Sequence, residues 1–221
     1  MDKDSLAKLY QNRFTEDQLP RKNAIWQVIC SRFFQKYIEP GDTVVDLACG
    51  YGEFINNISA GEKIAIDLNP DSGGHLNSDV RFEQLAATDL GGVLEGRADV
   101  IFTSNFLEHL PDKQTLELLI DQVLMALKPG GRLMVMGPNL RYLPGAYWDF
   151  YDHHLGLTHL SLCEILVLKG FQPEVCIDRF LPYTTRGALP THPLLVRAYL
   201  AFPVAWWFLG KQFFIVARKP V

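Results

Sequence analysis

The chain has 221 residues, 48% hydrophobic and 21% charged, with 21 Lys and Arg against 25 Asp and Glu for a formal charge of −4. That composition excludes a disordered chain and suits one domain with a sizeable core, and the acidic balance argues against broad electrostatic binding of nucleic acid. Cys30, Cys49, Cys163 and Cys176 show no CxxC spacing, so neither a zinc site nor a disulfide framework is expected. The opening MDKDSLAKLYQNRF has no apolar core of a signal peptide, and the cytoplasm is the expected compartment.

In residues 23–38, Ile25, Ile29 and Phe33 stand at helical spacing with Val28 beside them, and Pro40-Gly41 ends the helix. TVVDLA (43–48) reads as a buried strand, followed by a glycine turn and a helix around 54–58. KIAIDL (63–68) is a second strand stopped by Asn69-Pro70, residues 81–85 are a third and ADVIFTS (98–104) a fourth. The clearest helix spans 112–127, where Leu116, Leu119, Ile120, Val123, Leu124 and Leu127 make one apolar stripe before Pro129-Gly130-Gly131. RLMVMG (132–137) is a fifth strand, 161–169 a helix closed by Gly170, and 175–181 and 212–217 are strands. Continuous apolar strands alternating with helices predict an α/β fold, a mainly parallel sheet covered on both faces, with ligands beyond the carboxyl ends of its strands. The chain divides into an N-terminal helical extension (1–40), a core (41–181), an apolar helical insertion (182–210) and a last strand (211–221) of a single domain. The insertion holds AYLAFPVAWWFL (198–209), twelve residues without a charge. A bilayer span takes roughly 17–25 apolar residues, so this is no transmembrane helix.

In VVDLACGYGEF (44–54) a carboxylate, Asp46, ends the first strand ahead of Gly50 and Gly52. Glycines there permit positive φ and close approach of a ligand to the backbone, although a tight turn alone is the plain alternative. An acid in front of the loop is unwelcome to a pyrophosphate, and the GKS or GKT of a P-loop is absent; the loop suits a ligand with cationic groups. Asp67 ends the second strand 21 residues later, one β-α-β step, at a neighbouring strand tip. A carboxylate there can accept both hydroxyls of a ribose, or simply cap a turn.

Taken in order from Gly41 to Gly137, DLACGYG, IAIDLNP, ADVIFTSNFLEHL and LKPGGRLMVMGPN resemble class I S-adenosylmethionine-dependent methyltransferases of the small-molecule type. The resemblance implies a Rossmann-like, mainly parallel seven-stranded sheet with an antiparallel last strand. It implies S-adenosyl-L-methionine as cofactor and in-line SN2 methyl transfer. It places Asp46, Ala48, Gly50 and Gly52 at the methionine part and Asp67, with Leu68 beside it, at the ribose. Ala48 stands where the family has its first glycine, a replacement that suits a negative φ. The adenine amino group falls to Asp89 or, in another register that puts Ala86 at the strand end, to the backbone N–H of Ala87. Asn105 and Phe106 are candidates for the methionine carboxylate and the adenine face. Glu108 and His109 resemble an EH pair common in these enzymes, with His109 either a base or a helix-start residue bonded to backbone.

The connection 138–162 is long and dense in aromatics, Asp and His, and loops of that length usually carry function. Tyr147, Trp148, Phe150 and Tyr151 could form an apolar lid over the acceptor. Asp149, Asp152, His153, His154 and His159 supply titratable groups, and His153 or His154 is the leading candidate base because imidazole titrates near neutral pH. Structural hydrogen bonding and metal binding are the competing readings. The spacing fits no familiar metal site and the chemistry requires none, so no metal is expected. Related-looking enzymes near polysaccharide genes carry similar YWDF-DH-LTH-SL-E segments, which points to a small, glycan-linked or lipid-linked acceptor methylated on oxygen. Rival readings are a non-catalytic S-adenosylmethionine-binding regulator and a nicotinamide oxidoreductase. A nucleic-acid amino methyltransferase is disfavoured, since SNFL stands where NPPY would. Residues 194–209 are left as a pocket cap, a dimer surface or a peripheral membrane contact.

Overall fold

Seven strands rich in Val, Ile, Leu and Phe form one sheet in the computed structural model, which describes residues 19–183 and 192–221. They are β1 (Thr43–Leu47), β2 (Glu62–Asp67), β3 (Val80–Gln84), β4 (Ala98–Ser104), β5 (Leu127–Pro138), β6 (Gln172–Ile177) and β7 (Gln212–Arg218), in the order β3-β2-β1-β4-β5-β7-β6. All neighbours pair in parallel except β7, which runs antiparallel to both β5 and β6. The expected sheet is therefore present. Its order reverses between β1 and β4, and in such sheets a crevice opens at the carboxyl ends of the two strands flanking the reversal.

Alternate residues of each strand feed two cores, which is why the runs read as continuously apolar. Val45, Leu47, Ile64, Ile66, Ile101 and Ile215 meet helices α2 (Leu90–Leu94), α3 (Lys113–Ala126) and α4 (His159–Leu168) on one face. On the other, Val44, Ala65, Val100, Phe102, Phe214 and Val216 meet α1 (Leu19–Arg32) and the aromatic residues Phe33, Phe34, Phe54 and Phe180. The insertion supplies α5 (Pro193–Ala201) and α6 (Val204–Leu209), and α5 packs on α1. Tyr199 Oη donates to the Phe180 carbonyl at 2.6 Å and Trp206 Nε1 to the Tyr199 carbonyl at 2.8 Å, pinning the two short helices to the core. The rest of the extension (1–18) and of the insertion (184–191) lies outside the described residues.

Three elements depart from expectation. The helix expected at 54–58 is only a 3-10 turn, Ile55–Asn57, because β2 starts at Glu62 and leaves no room for a second turn. Helix α2 has no signal in the sequence, since Gly91-Gly92 disfavours it. Packing overrides that: the Gly91 N–H donates to Gln122 Oε1 at 2.9 Å, and a Cβ at Gly91 would lie 2.9 Å from the Met125 Cβ. The strand expected at 175–181 is β6, displaced to Gln172–Ile177 by its pairing with β7.

The turns at the strand tips are left-handed. Gly50 and Gly52 have φ of +56° and +76°, as their residue type allows, but Ala48 also has φ of +60° rather than the negative value its Cβ favours. Asn105, φ +49°, is a residue type that tolerates this region. Ala48→Gly should therefore stabilise the fold by about 0.5–1 kcal/mol, the steric relief exceeding the entropy gained by the unfolded chain. Urea denaturation checks this, and an unchanged or lower midpoint would show that Ala48 is not strained.

Candidate functional site

The first-strand loop and the β2 tip are joined through one carboxylate. Asp67 Oδ2 accepts from the Gly50 N–H at 2.8 Å and Oδ1 from the Asn69 N–H at 2.9 Å. Burial raises the pKa of Asp67, and the N–H groups of Asn69, Gly50 and Leu68 oppose that rise. Asp46, buried at the β1 tip, is pushed well above the usual carboxylate range by burial and then by the charge of Glu53. The nearby cation, Lys22, lies 2.5 Å from Glu53. With Glu53 paired to Lys22 and no cation paired with Asp46 or Asp67 among the described residues, ionising these two buried acids is costly, so the glycine turn suits a ligand that brings ammonium and sulfonium charge and is unfavourable to a phosphate.

The two glycines differ in kind. At Gly52 the positive φ of +76° favours glycine, and a Cβ would also press on the Leu76 and Asn56 side chains. A Cβ at Gly50 would meet nothing within 4 Å, so its face is open to a ligand. Leu68, beside Asp67, is 46% exposed and offers apolar surface at the same tip. Ala87 and Asp89 share one 3-10 turn beyond β3. Ala87 is half-buried against the α3 side of the core, while Asp89 is exposed and makes no side-chain cap bond to α2, so both adenine candidates remain at that end. Asn105 and Phe106 follow β4 directly: Asn105 is exposed with its N–H tied to the Met136 carbonyl at 3.0 Å, and Phe106 packs partly on the core.

On the other side of the β4 tip lies a buried cluster of titratable groups. The Glu108 carbonyl accepts from the N–H groups of His154 and Leu155 at 2.9 and 3.1 Å, which ties the long loop after β5 to the turn after β4. That clamp brings Asp152 to His109, whose Nδ1 lies 2.9 Å from the Asp152 carbonyl and 3.2 Å from Oδ2. His153 is buried, its ring edge-on to His109 at 5.0 Å and stacked on Phe150 at 4.9 Å. Burial pushes the Glu108 carboxyl up to about 7, against the opposing charge of His109. Burial alone would lower His109, but the hydrogen bond to Asp152 and the charge of Glu108 outweigh it and hold the imidazole above its usual range. One ligand atom from each of Glu108, His109 and His153 lies within 4.8 Å of the others.

Among the expected base candidates, the structure unites His109 and His153 and leaves the His154 ring exposed outside the cluster. His159 is a structural residue, with Nδ1 2.9 Å from the side-chain amide of Asn139. The expected lid is only partly formed. Tyr147 is wholly buried, its hydroxyl donating to the Leu155 carbonyl at 2.6 Å, so it anchors the loop, whereas Trp148 and Tyr151 are exposed. Sequence reading missed Asp152 as the partner of His109 because 43 residues separate them, and it noted Glu108 only as half of an EH pair.

The family described as methyltransferase domain matches residues 18–173, which include the β1, β2 and β4 tips and the cluster. A solved S-adenosylmethionine-dependent methyltransferase from Archaeoglobus fulgidus superposes with a TM-score of 0.65 at 19% identity, covering 87% of this chain and 92% of that one. Another from Mesorhizobium loti gives 0.57 at 18% identity, covering 81% and 91%. The (4+2) cyclase SpnF gives 0.61 at 19% identity, covering 90% and 81%. No protein among those with curated descriptions matches. At such identities the structural likeness shows the fold alone. The family match spans most of the chain, and with it this protein belongs to the methyltransferase domain family, as a class I S-adenosylmethionine-dependent methyltransferase.

Proposed function

We propose that the enzyme methylates a hydroxyl oxygen of a small, glycan-linked or lipid-linked acceptor. The observation that carries this reading is the Glu108–His109–Asp152–His153 cluster beside the β4 tip, with Glu108, Asp152 and His153 buried and His109 half-buried. Bound S-adenosylmethionine supplies a methyl group on a sulfonium, already an excellent leaving group, for in-line displacement. What a neutral hydroxyl still needs is a proton acceptor, and an oriented imidazole provides one. Asp152 engages Nδ1 of His109 and so leaves Nε2 to take that proton, while the neighbouring carboxylates favour the imidazolium that results. Asp67 accepts the ribose hydroxyls, the Gly50 face admits the methionine portion, and buried Asp46, costly to ionise alone, gains a counter-charge when a cationic ligand binds. The exposed Trp148 and Tyr151 rings, on the loop that carries Asp152, offer stacking surface for a sugar or a lipid chain.

A regulator that only holds the cofactor needs no buried proton-handling group, and such groups are costly to bury without a purpose. The cluster therefore favours turnover over binding alone.

Asp67→Ala should weaken S-adenosylhomocysteine binding by about 10–100-fold, the loss of charge-assisted hydrogen bonds, as read by calorimetry; unchanged affinity would remove Asp67 from the ribose. His109→Ala should lower kcat by roughly 10²–10⁴-fold while leaving cofactor affinity intact, with the lipid-linked glycan fraction of the source cells as acceptor. Because the base acts when neutral and its pKa is raised, kcat should climb with pH through a midpoint above about 6.5. Asp152→Asn should move that midpoint down, since it removes a charge that favours the imidazolium. Dialysis against EDTA should leave activity unchanged; loss restored by a divalent cation would reassign Glu108, His109 and His153 as metal ligands.

A further inference from the structure

The charges of this chain are unevenly divided. After Asp178 there are 43 residues with six Lys or Arg and no Asp or Glu, and residues 18–38 hold four Lys or Arg and again no acid, although the whole chain carries −4. The fold brings these two acid-free stretches together, because α5 packs on α1 and Trp206 of α6 meets Phe33 edge-on at 5.8 Å. Arg218 and Lys219 lie at the far end of β7, engaged with Glu174 and with the Leu124 and Leu127 carbonyls. Arg21, Arg32, Lys36 and Arg197 are exposed around the joined helices.

The same helices have met their packing needs and still show large apolar side chains. Val196, Tyr199, Leu200 and Trp206 turn inward against the core. Leu194, Phe202, Val204, Trp207 and Phe208 turn outward, each 58–66% exposed. No helix among the described residues is long and apolar enough to cross a membrane. Short helices with Trp, Phe and Leu on one side, in stretches of sequence whose only charges are basic, match the chemistry of an interface between water and anionic lipid. A second copy of the chain fits less well, since a two-fold contact would set these acid-free segments against their own basic charges.

We propose that α5 and α6, with α1 beside them, form a foot that seats the enzyme on an anionic lipid surface. The foot adjoins the acceptor side. The insertion leaves β6 and enters β7 at the edge where the tips of β1, β2 and β4 lie, given their pairing directions. Arg179 lies 3.9 Å over the Tyr142 ring and donates to the Trp207 carbonyl, while Lys211 Nζ donates to the Tyr142 carbonyl at 3.2 Å. Tyr142 belongs to the same loop as Trp148 and Asp152, so docking brings the acceptor loop to the lipid surface. This deepens the reading of a lipid-linked acceptor, but it can be tested without methyl transfer.

The full chain should float with vesicles of phosphatidylcholine and phosphatidylglycerol at least about tenfold more strongly than with phosphatidylcholine alone, and less so at high salt. The double variant Trp207→Ser, Phe208→Ser should lose that binding by about tenfold or more, and Arg197→Glu should lower it on the anionic vesicles only. Calorimetry with S-adenosylhomocysteine should be unchanged in all of these variants, which shows that they are folded and keeps the cofactor reading separate. Wild-type protein that stays wholly in the soluble fraction overturns the proposal. So does a dimer, seen by light scattering, that the double variant dissociates, because the face would then belong to a second copy.

Discussion

The pairing of β1 with β2 on one side and β4 on the other is the constraint on which the ligand edge depends. From β1 the chain moves outward to β2 and β3, then returns across β1 to lay down β4 and β5. Connections therefore leave the tips of β1 and β4 in opposite directions, and the space between them is not crossed by backbone. Asp46 is in register with Ala65 of β2 and Phe102 of β4, which makes it the acid nearest that reversal. It is buried because the sheet is covered on both faces, and the Ile55 N–H, beyond the turn that carries positive φ at Ala48, Gly50 and Gly52, donates to its carboxylate.

Two groups of carboxylates with different surroundings flank this point. In the cradle of the glycine turn, burial raises both Asp46 and Asp67, the charges of Glu53 and Asp67 raise Asp46 further, and backbone N–H groups only partly offset it. Such an arrangement is stabilised by a ligand that brings positive charge, which makes the site selective for a cationic cofactor before any shape is considered. Beyond β4, Glu108 and Asp152 instead surround an imidazole, and the charge they favour is a proton on His109. One side of the β4 turn thus holds acids without a paired cation, and the other holds acids around an imidazole. The Glu108 carbonyl, accepting from His154 and Leu155, holds the second side together across 46 and 47 residues of chain.

What was legible in the sequence follows from the range of the interactions involved. Strands β1, β2, β4 and β7, the stripe of α3, and Asp46 and Asp67 could be read because each depends on local pattern: apolar runs, glycine turns and an acid at the strand end. Helix α2 could not, since Gly91 disfavours helix locally and earns its place only by letting Gln122 and Met125 approach. The sign of φ at Ala48 could not be read either, because it is set by the turn after β1 rather than by the residue. The cluster was half visible. His109 and His153 stood out as imidazoles in the two loops flanking the crevice, but their union with Glu108 and Asp152 depends on long-range backbone bonds that leave no periodic trace. Tyr147 shows the same limit: composition places it with the other aromatics of the loop, and only its hydrogen bond to Leu155 separates an anchor from a lid.

The apolar run at 198–209 gains its meaning from what surrounds it. Alone, twelve uncharged residues could be core, cap or surface, and the structure divides them: Tyr199, Leu200 and Trp206 join the core, while Phe202, Val204, Trp207 and Phe208 do not. The division matters because burying the inward set already accounts for the stability of two helices too short to stand alone. The outward set adds nothing to the fold and carries the usual cost of apolar surface in water, roughly 25 cal/mol per Å². The same surface is framed by segments that hold no Asp or Glu, and that combination of exposed apolar side chains with basic charge is the basis of the anionic lipid contact proposed above. On that proposal, acceptor access and surface attachment become one problem, met by the same twenty or so residues.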